Sequence, residues 1–236
     1  MRLDPQLIST ADLLMVVFHR LFGHFGPQRW WPADSPLEVM VGAILTQNTA
    51  WSNVEMAIKA LRESHILSSM AALVNTTEET LSGLIRPCGY FRVKAHRIKN
   101  LIAAVEVQTG GCLDKFLSLP RAELREKLLS ISGVGPETAD SILLYAAKKP
   151  VFVVDAYTRR ALFRHGWISP KATYDDIQSL FMEHLPLDVS LYNEYHALWV
   201  ALGKVFCRPK ARCSGCPLEE LLDQSSAQNG KPHHTC

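Results

Sequence analysis

The stretch LLSISGVGPETADSILLYAA, residues 128–147, decides how the chain folds. Two segments with apolar residues at helical spacing flank a Gly-Val-Gly turn, in which glycine allows positive φ and the close approach of another backbone. Pro136 suits the first turn of the second helix. Backbone amides at that helix start point outward with the positive end of the helix dipole, so the turn predicts an anion site at Gly133 and Gly135. A joint between two helices without any ligand is the alternative for a bare Gly-x-Gly.

The rest of the chain repeats the helical spacing and contains one β-branched run. VFVVD, residues 151–155, is short and lies between two helical patterns, so it predicts an extended connector and not a sheet strand. The sequence therefore predicts an all-α protein. Helical spacing covers residues 10–22, 36–46, 52–62, 78–86, 94–107, 121–130, 136–147, 156–164, 173–184 and 190–206.

Composition bounds the class of protein. At 236 residues and 47% hydrophobic, the chain is long enough to bury a sizeable core. Its 25 Lys and Arg residues against 23 Asp and Glu residues give a net charge of +2. Any surface that binds nucleic acid must therefore come from local clusters of basic residues. No apolar run approaches the length of about 20 residues that spans a bilayer, and the first residues, MRLDPQLIST, lack a charged segment followed by an apolar one. We therefore expect a cytoplasmic protein without a membrane partner.

A second acid follows the hairpin. VFVVDAYTRRALFRHGW, residues 151–167, places Asp155 before a helix, where on its own it is typical of an N-cap. It lies eighteen residues after Glu137, so one helix and a return connector can bring the two acids to one cleft. Gly-Val-Gly before a helix, followed by hydrophobic residues that end in Val-Asp, resembles the helix-hairpin-helix DNA base-excision glycosylases of the endonuclease III superfamily.

The resemblance extends over residues from roughly 12 to 222 and implies a two-lobed helix-hairpin-helix fold with a C-terminal cysteine loop. It places a central helical bundle at about 34–147 and a second lobe at 1–33 with 148–222. The polar stretch 223–236 is expected to be a flexible tail. By the resemblance, a monomer binds double-stranded DNA with a damaged base across the cleft between the lobes, and in a bacterium it would be associated with the nucleoid.

Two further motifs are similar to the parts of these glycosylases that enter DNA. VGAILTQNTAWSNVEMAI, 41–58, gives Gln47 the role of filling the gap left by an extruded base. CGYFRVKAHRIKNL, 88–101, makes Tyr90 the candidate wedge into the opposite strand. Each basic residue of this motif is, on its own, typical of a solvated helix face. Several basic residues together beside an aromatic loop favour contact with the DNA backbone. The basic run consists of Arg92, Lys94, His96, Arg97 and Lys99.

The residue after Gly-Val-Gly-Pro distinguishes two reactions. In the branch that also cuts the strand, the family has a lysine at this position, and its amine forms a Schiff base with the sugar. Glu137 has no amine, so the resemblance implies a monofunctional glycosylase in which water is the nucleophile. Asp155 would then stabilise the oxocarbenium-like sugar and orient or deprotonate the water. Two alternatives remain: a bifunctional glycosylase and lyase for oxidised pyrimidines with Lys204 as its amine, and a non-catalytic DNA-binding module.

Tryptophans indicate the class of base. RWWPADSP, 29–36, and a further tryptophan after LTQNTA supply aromatic faces that could sandwich a flipped base, each stack contributing roughly 1–3 kcal/mol, with a cation–π gain for a charged ring. A tryptophan-rich core is the alternative. The two motifs resemble the 3-methyladenine DNA glycosylase III branch, in which the acids matching Glu137 and Asp155 lie in the base pocket; the implied substrate is an alkylated purine such as 3-methyladenine. The predicted pocket residues are Trp30, Trp31, Pro32, Trp51 and, one turn before the first cysteine of the loop, Lys204.

A cysteine loop completes the resemblance. In HALWVALGKVFCRPKARCSGCPLEELL, 196–222, Cys207, Cys213 and Cys216 match three ligands of the family's [4Fe–4S] cluster. The fourth position holds Leu222, and the first interval is one residue shorter than in better-known members. The candidate fourth ligands, His233, His234 and Cys236, lie on the tail, so zinc and an empty, lapsed site are the alternatives to the cluster. In each case Arg208, Lys210 and Arg212 are predicted to contact phosphate.

Overall fold

The computed structural model describes residues 9–222 and contains twelve α-helices in that range. No strand occurs among these residues, which confirms the all-α prediction. None of their helices is long and apolar enough to cross a membrane. The helices are α1 (Thr10–Phe25), α2 (Pro36–Leu45), α3 (Trp51–Glu63), α4 (Met70–Asn75), α5 (Glu78–Leu84), α6 (Phe91–Thr109), α7 (Leu113–Ser118), α8 (Arg121–Leu129), α9 (Pro136–Ser141), α10 (Ala156–Arg164), α11 (Tyr174–Met182) and α12 (Val189–Val205).

The chain divides into two compact units. One unit is Trp31–Lys149, and the other combines residues 9–30 with 150–222 among those the structure describes. Short 3-10 helices add a turn at Ile66–Ser68 and Arg86–Cys88 in the first unit and at Glu219–Leu221 in the second. The predicted tail at 223–236 lies outside the described residues.

The unit Trp31–Lys149 is built around α2. Every residue of α2 from Leu37 to Leu45 is buried, as expected of a helix that is apolar on nearly all sides. Its single charge, Glu38, is 3% exposed and accepts a hydrogen bond of 2.6 Å from Nε of Arg62, which also contacts Asp34. A buried carboxylate needs such a partner to offset its lost hydration.

A second buried ion pair holds the hairpin stretch of the same unit. Asp140 on α9 is fully buried, and Nε and one terminal nitrogen of Arg125 on α8 donate to its two oxygens at 2.8 and 3.1 Å. This bidentate geometry fixes orientation as well as distance. After α9 the chain continues as a π-helical segment, Ile142–Ala146, whose residues are all buried.

The other unit packs around the connector and α12. Residues 151–154 are buried and form no strand, as predicted for VFVVD, and the amide of Gln178 donates to the carbonyl of Phe152 at 2.7 Å. The ring of Phe152 stacks on Phe181 with centroids 3.7 Å apart. Tyr195 on α12 donates its hydroxyl to the carbonyl of Leu14, which ties α12 to α1. The connector therefore leads directly into Asp155, which precedes the first residue of α10.

Candidate active site

The hairpin glycines differ in what surrounds them. Gly133 has φ +94°, and a Cβ atom there would lie 2.3 Å from Cγ of Arg97. Gly135 caps α9 with an ordinary φ of −94°, and a Cβ atom added to it would meet no other atom within 4 Å. Pro136 opens α9, as its fixed φ favours. Gly133 is thus required by the fold, whereas the space beside Gly135 is open to a ligand.

Gln47 is bound to this hairpin. Its amide nitrogen donates to the carbonyl of Gly133 and to the hydroxyl of Thr138, both at 3.0 Å. Its amide oxygen accepts a hydrogen bond from the guanidinium of Arg97. Gln47 must give up these three bonds before it can enter a DNA stack, so its predicted gap-filling role requires a local rearrangement.

Tyr90 projects from a strained turn. It precedes α6 with φ 45°, directly after Gly89 at φ 63°, and 70% of its surface is exposed. A non-glycine residue in the left-handed region is uncommon and costs on the order of 1–3 kcal/mol. An exposed aromatic ring held in such a turn is a suitable group for contact with a partner, and the wedge role of Tyr90 stays a prediction.

The basic run on α6 contributes mainly to the fold. Lys94 is 1% exposed and its ammonium group donates to backbone carbonyls, so the prediction that it contacts DNA phosphate is wrong. Lys99 donates to three carbonyls at the end of α4, at 2.7 to 3.1 Å. His96 lies 3.2 Å from the carboxylate of Glu78. Arg92 is exposed beside the ring of Phe91, and its contact with DNA stays a prediction.

The tryptophans and Glu137 line separate cavities of the unit Trp31–Lys149. Trp31, Pro32 and Trp51 line a cavity of about 260 Å³ together with Glu38 and Arg62. Trp31 and Trp51 meet edge to face, with centroids 5.3 Å apart at 87°, so these two rings do not form a parallel slot for a base. Trp30 belongs to the other unit.

Glu137 lines a polar cavity of about 230 Å³. Its neighbours there include Gln47, Asn48 and Ser141, and the Ser141 hydroxyl donates to the Glu137 carbonyl at 2.7 Å. Asn48 adopts φ 49°, which turns the backbone sharply after Gln47. Sequence reasoning did not single out Asn48 or Ser141, because neither belongs to a recognisable spacing pattern.

Asp155 is both a helix cap and a buried anion. One carboxylate oxygen accepts from the amide of Thr158 at 2.7 Å, and the other lies 3.6 Å from Nε2 of His196 on α12. Burial by itself would raise the pKa of Asp155, but the nearby imidazole of His196 and the hydrogen bond from Thr158 outweigh it, so the pKa lies below its usual value. The carboxylate therefore stays ionised at neutral pH. His196, which lies 41 residues further along the chain than Asp155, gave no local sequence signal.

The lowered pKa of Asp155 makes part of the stability pH-dependent. An acid whose pKa is lower in the folded state stabilises the fold above its unfolded pKa, which is about 3.9, and this contribution disappears as pH falls through the folded pKa. We expect the free energy of unfolding to fall more steeply below pH 4 in the wild-type protein than in Asp155→Asn. Urea unfolding of both proteins between about pH 7 and pH 3 measures the difference. Parallel curves would contradict the pKa shift.

Two arginines of α10 brace the cysteine loop. Nε of Arg160 donates to the carbonyl of Cys207 at 2.7 Å, and Arg164 donates to the carbonyls of Arg208 and Pro209 at 2.6 and 2.7 Å. The side chains of Arg208, Lys210 and Arg212 are exposed and so are accessible to phosphate. Lys204 is exposed as well.

The cysteines do not assemble a four-ligand site within residues 9–222. Cys207, Cys213 and Cys216 line a narrow space of about 20 Å³ that Leu222 and His165 also border. No group of three or more His, Cys, Asp or Glu residues in the described range has an arrangement that could hold a metal ion. The candidate ligands His233, His234 and Cys236 lie outside that range. The described part of the loop thus does not form a metal site by itself, and the [4Fe–4S] cluster stays a prediction.

Comparison with known proteins decides the family. Residues 41–187 match the family described as HhH-GPD superfamily base excision DNA repair protein. The chain belongs to this superfamily. A proposed DNA repair glycosylase of Methanocaldococcus jannaschii, MJ1434, is 46% identical to it over 215 residues, which cover 90% of this chain and 97% of the relative. Endonuclease III of Thermotoga maritima is 30% identical over 185 residues, or 78% of this chain and 81% of that protein.

Solved structures agree with the HhH-GPD fold. The Helicobacter pylori 3-methyladenine DNA glycosylase MagIII bound to 1,N6-ethenoadenine superimposes with a TM-score of 0.70 at 25% identity, covering 84% of this chain and 98% of that one. An endonuclease III–DNA complex gives a TM-score of 0.77 at 21% identity over 95% and 100% of the two chains, and supports the fold alone. The predictions of an HhH-GPD fold and of a DNA N-glycosylase of base excision repair are confirmed at the level of the family.

Alanine substitutions at the two hairpin glycines should affect different properties of this HhH-GPD protein. Gly133→Ala combines a positive φ with a clash against Arg97, so we expect it to lower the thermal stability. Gly135→Ala has room for its methyl group and should fold normally, but the methyl group would block close approach of a DNA phosphate. Losing one amide–phosphate hydrogen bond should weaken DNA binding by about 1.5–3 kcal/mol. Thermal unfolding and DNA titration of both variants test this; unchanged affinity in Gly135→Ala would argue against a phosphate at the hairpin.

Proposed function

We propose that this protein is a monofunctional DNA glycosylase that flips an alkylated purine, of the 3-methyladenine type, out of duplex DNA and hydrolyses its N-glycosidic bond. The observation that carries the proposal is the carboxylate of Glu137 at the hairpin position where strand-cutting relatives need an amine. A carboxylate cannot form a Schiff base with the sugar. Water is then the nucleophile, and the DNA strand stays intact with an abasic site.

Asp155 supplies the charge for this reaction. Its carboxylate is buried and its pKa is lowered, so it is an anion at the pH at which the sugar develops positive charge. A fixed negative charge in a poorly solvated position stabilises an oxocarbenium-like transition state strongly. The same carboxylate can orient the attacking water or accept its proton. The hydrogen bond from Thr158 and the adjacent imidazole of His196 hold the carboxylate in one orientation.

An alkylated purine suits such a site. A methylated purine ring already carries positive charge, so it leaves without protonation by the protein. Aromatic side chains favour cationic rings, and Trp31, Pro32 and Trp51 line one side of a cavity of about 260 Å³ in the unit Trp31–Lys149. The MagIII structure, 25% identical to this chain, contains a modified adenine. These points support an adenine-type substrate over an oxidised pyrimidine.

The test uses duplex DNA treated with a methylating agent. We expect the purified protein to release methylated adenine as a free base and to leave the strands intact until alkali is added. Strand breaks without alkali would overturn the monofunctional reaction and identify a lyase, for which the exposed Lys204 is the first amine to substitute. If no methylated base is released, duplexes with oxidised pyrimidines are tested next, and binding without any release would identify a non-catalytic module.

A further inference from the structure

The buried ammonium group of Lys94 joins the ends of two helices. Its Nζ atom donates to the carbonyl of Leu45 and to the carbonyl of Cys88, each at 2.9 Å. Leu45 is the last residue of α2, and Cys88 is the last residue of the 3-10 helix Arg86–Cys88. Carbonyls at the ends of helices lack partners within the helix, and a cation there also interacts favourably with the helix dipole. Lys94 therefore satisfies two such carbonyls with one group.

Each of these helix ends leads into a loop with a predicted DNA-entering residue. Gln47 follows Leu45 by two residues, and Tyr90 follows Cys88 by two residues. The backbone amide of Lys94 also donates to the carbonyl of Tyr90 at 2.9 Å, within the first turn of α6. A single residue thus fixes the starting point of both loops and one end of the Tyr90 turn.

Burial of the Lys94 ammonium group is electrostatically unfavourable. Burial lowers the pKa of Lys94, although its proximity to Cys88 acts in the opposite direction. Nearby Cys88 is buried too, and burial raises the pKa of its thiol. An apolar side chain of similar length would not require burial of an ammonium group, but it would leave the carbonyls of Leu45 and Cys88 without this donor. The ammonium group instead holds the two carbonyls at a fixed separation.

We propose that Lys94 is a positioning residue that sets the spacing of Gln47 and Tyr90 as these two side chains enter the DNA duplex. It contacts neither DNA nor the reacting base, since it is 1% exposed, and acts through the two loops. The inference rests on the proposed function, because base flipping is the step at which Gln47 and Tyr90 are predicted to enter the duplex. Small errors in placement matter at this step, because a displacement of about 1 Å can reduce a rate by about 10²-fold.

Lys99 provides a matched control on the same helix. It also donates to carbonyls at a helix end, those of Leu73, Val74 and Thr76, but that end does not lead to either loop. Replacing either lysine by methionine keeps the length of the side chain and removes its donors. Both variants should lose stability, whereas only Lys94→Met should disturb the DNA-entering loops.

The primary measurement does not require base release. Each protein is bound to a duplex in which 2-aminopurine stands beside a stable abasic-site analogue, and the fluorescence change on binding reports side chains that enter the stack. We expect the wild-type protein and Lys99→Met to give similar changes and Lys94→Met to lose most of the change at saturating protein. Single-turnover release of methylated adenine should fall by about tenfold or more in Lys94→Met, and little in Lys99→Met.

Two further variants make the result decisive. Lys94→Arg keeps a cation at the site but moves its donors, so it should fold and still reduce the fluorescence change; it replaces Lys94→Met if that variant does not fold. In Tyr90→Ala, adding Lys94→Met should have less effect than in the wild-type background, because the two act through one step. A wild-type fluorescence change in the Lys94 variants, or equal losses in the Lys94 and Lys99 variants, overturns the inference. If the wild-type protein shows the change but releases no methylated base, the proposed function fails and the role of Lys94 stands.

Discussion

Asp155→Asn is expected to reduce single-turnover base release by on the order of 10²- to 10³-fold, as the loss of one electrostatic contact to a transition state does. The substitution removes the negative charge but keeps an oxygen that can accept from the amide of Thr158. Asparagine is as good an N-cap as aspartate, so α10 should begin at the same residue. DNA affinity should therefore stay within a few fold of the wild-type value, measured by titration with the same duplex.

Asp155→Ala is the control that separates charge from capping. It removes both, so it should show the same loss of base release together with a loss of about 0.5–2 kcal/mol of stability from the missing cap. If Asp155→Asn loses DNA affinity and base release to the same extent, the role of Asp155 is structural. Normal base release in Asp155→Asn would require another group to stabilise the sugar cation.

Gly203→Ala should be the most destabilising of the substitutions considered, by about 3 kcal/mol, the upper part of the range for overpacking. Gly203 is buried on α12, and a Cβ atom there would lie 2.1 Å from Cδ1 and 2.7 Å from Cβ of Tyr157 on α10. The Cβ atom of Tyr157 cannot move without its backbone, so α10 itself has to shift. Because Asp155 caps α10, base release should fall as well. Chemical denaturation measures the stability, and the single-turnover assay measures the release.

Gly23→Ala gives the opposite expectation in the same unit. Gly23 lies inside α1 and is exposed, and no atom lies within 4 Å of the added methyl group. Alanine is favoured over glycine in a helix by about 0.5–1 kcal/mol, so this variant should be slightly more stable. Equal stability of the two alanine variants would show that α10 and α12 do not pack as closely as described.

The chain's helices illustrate what local patterns can predict. The long amphipathic segments are confirmed, including α1, α3 and α12, because their apolar spacing extends over several turns. Two six-residue helices, α4 and α7, were missed, since a single turn and a half gives too few positions for a period. The connector at 151–155 was predicted correctly because it is too short for a helix and is placed between two.

The amino-acid sequence alone determined the all-α class, the hairpin with its two glycines, the family, and the replacement of an amine by Glu137, since these depend on residue identity and spacing along the chain. Only the tertiary structure decided which groups the basic side chains of α6 contact. Lys94, Arg97 and Lys99 occur in one basic run, yet each is used by a different part of the unit Trp31–Lys149. The same holds for His196, which approaches Asp155 from a distant helix. The partner of a cationic side chain depends on distances in space. Carbonyl groups at helix ends bind lysine and arginine, but no sequence pattern indicates which of these carbonyls a given side chain reaches.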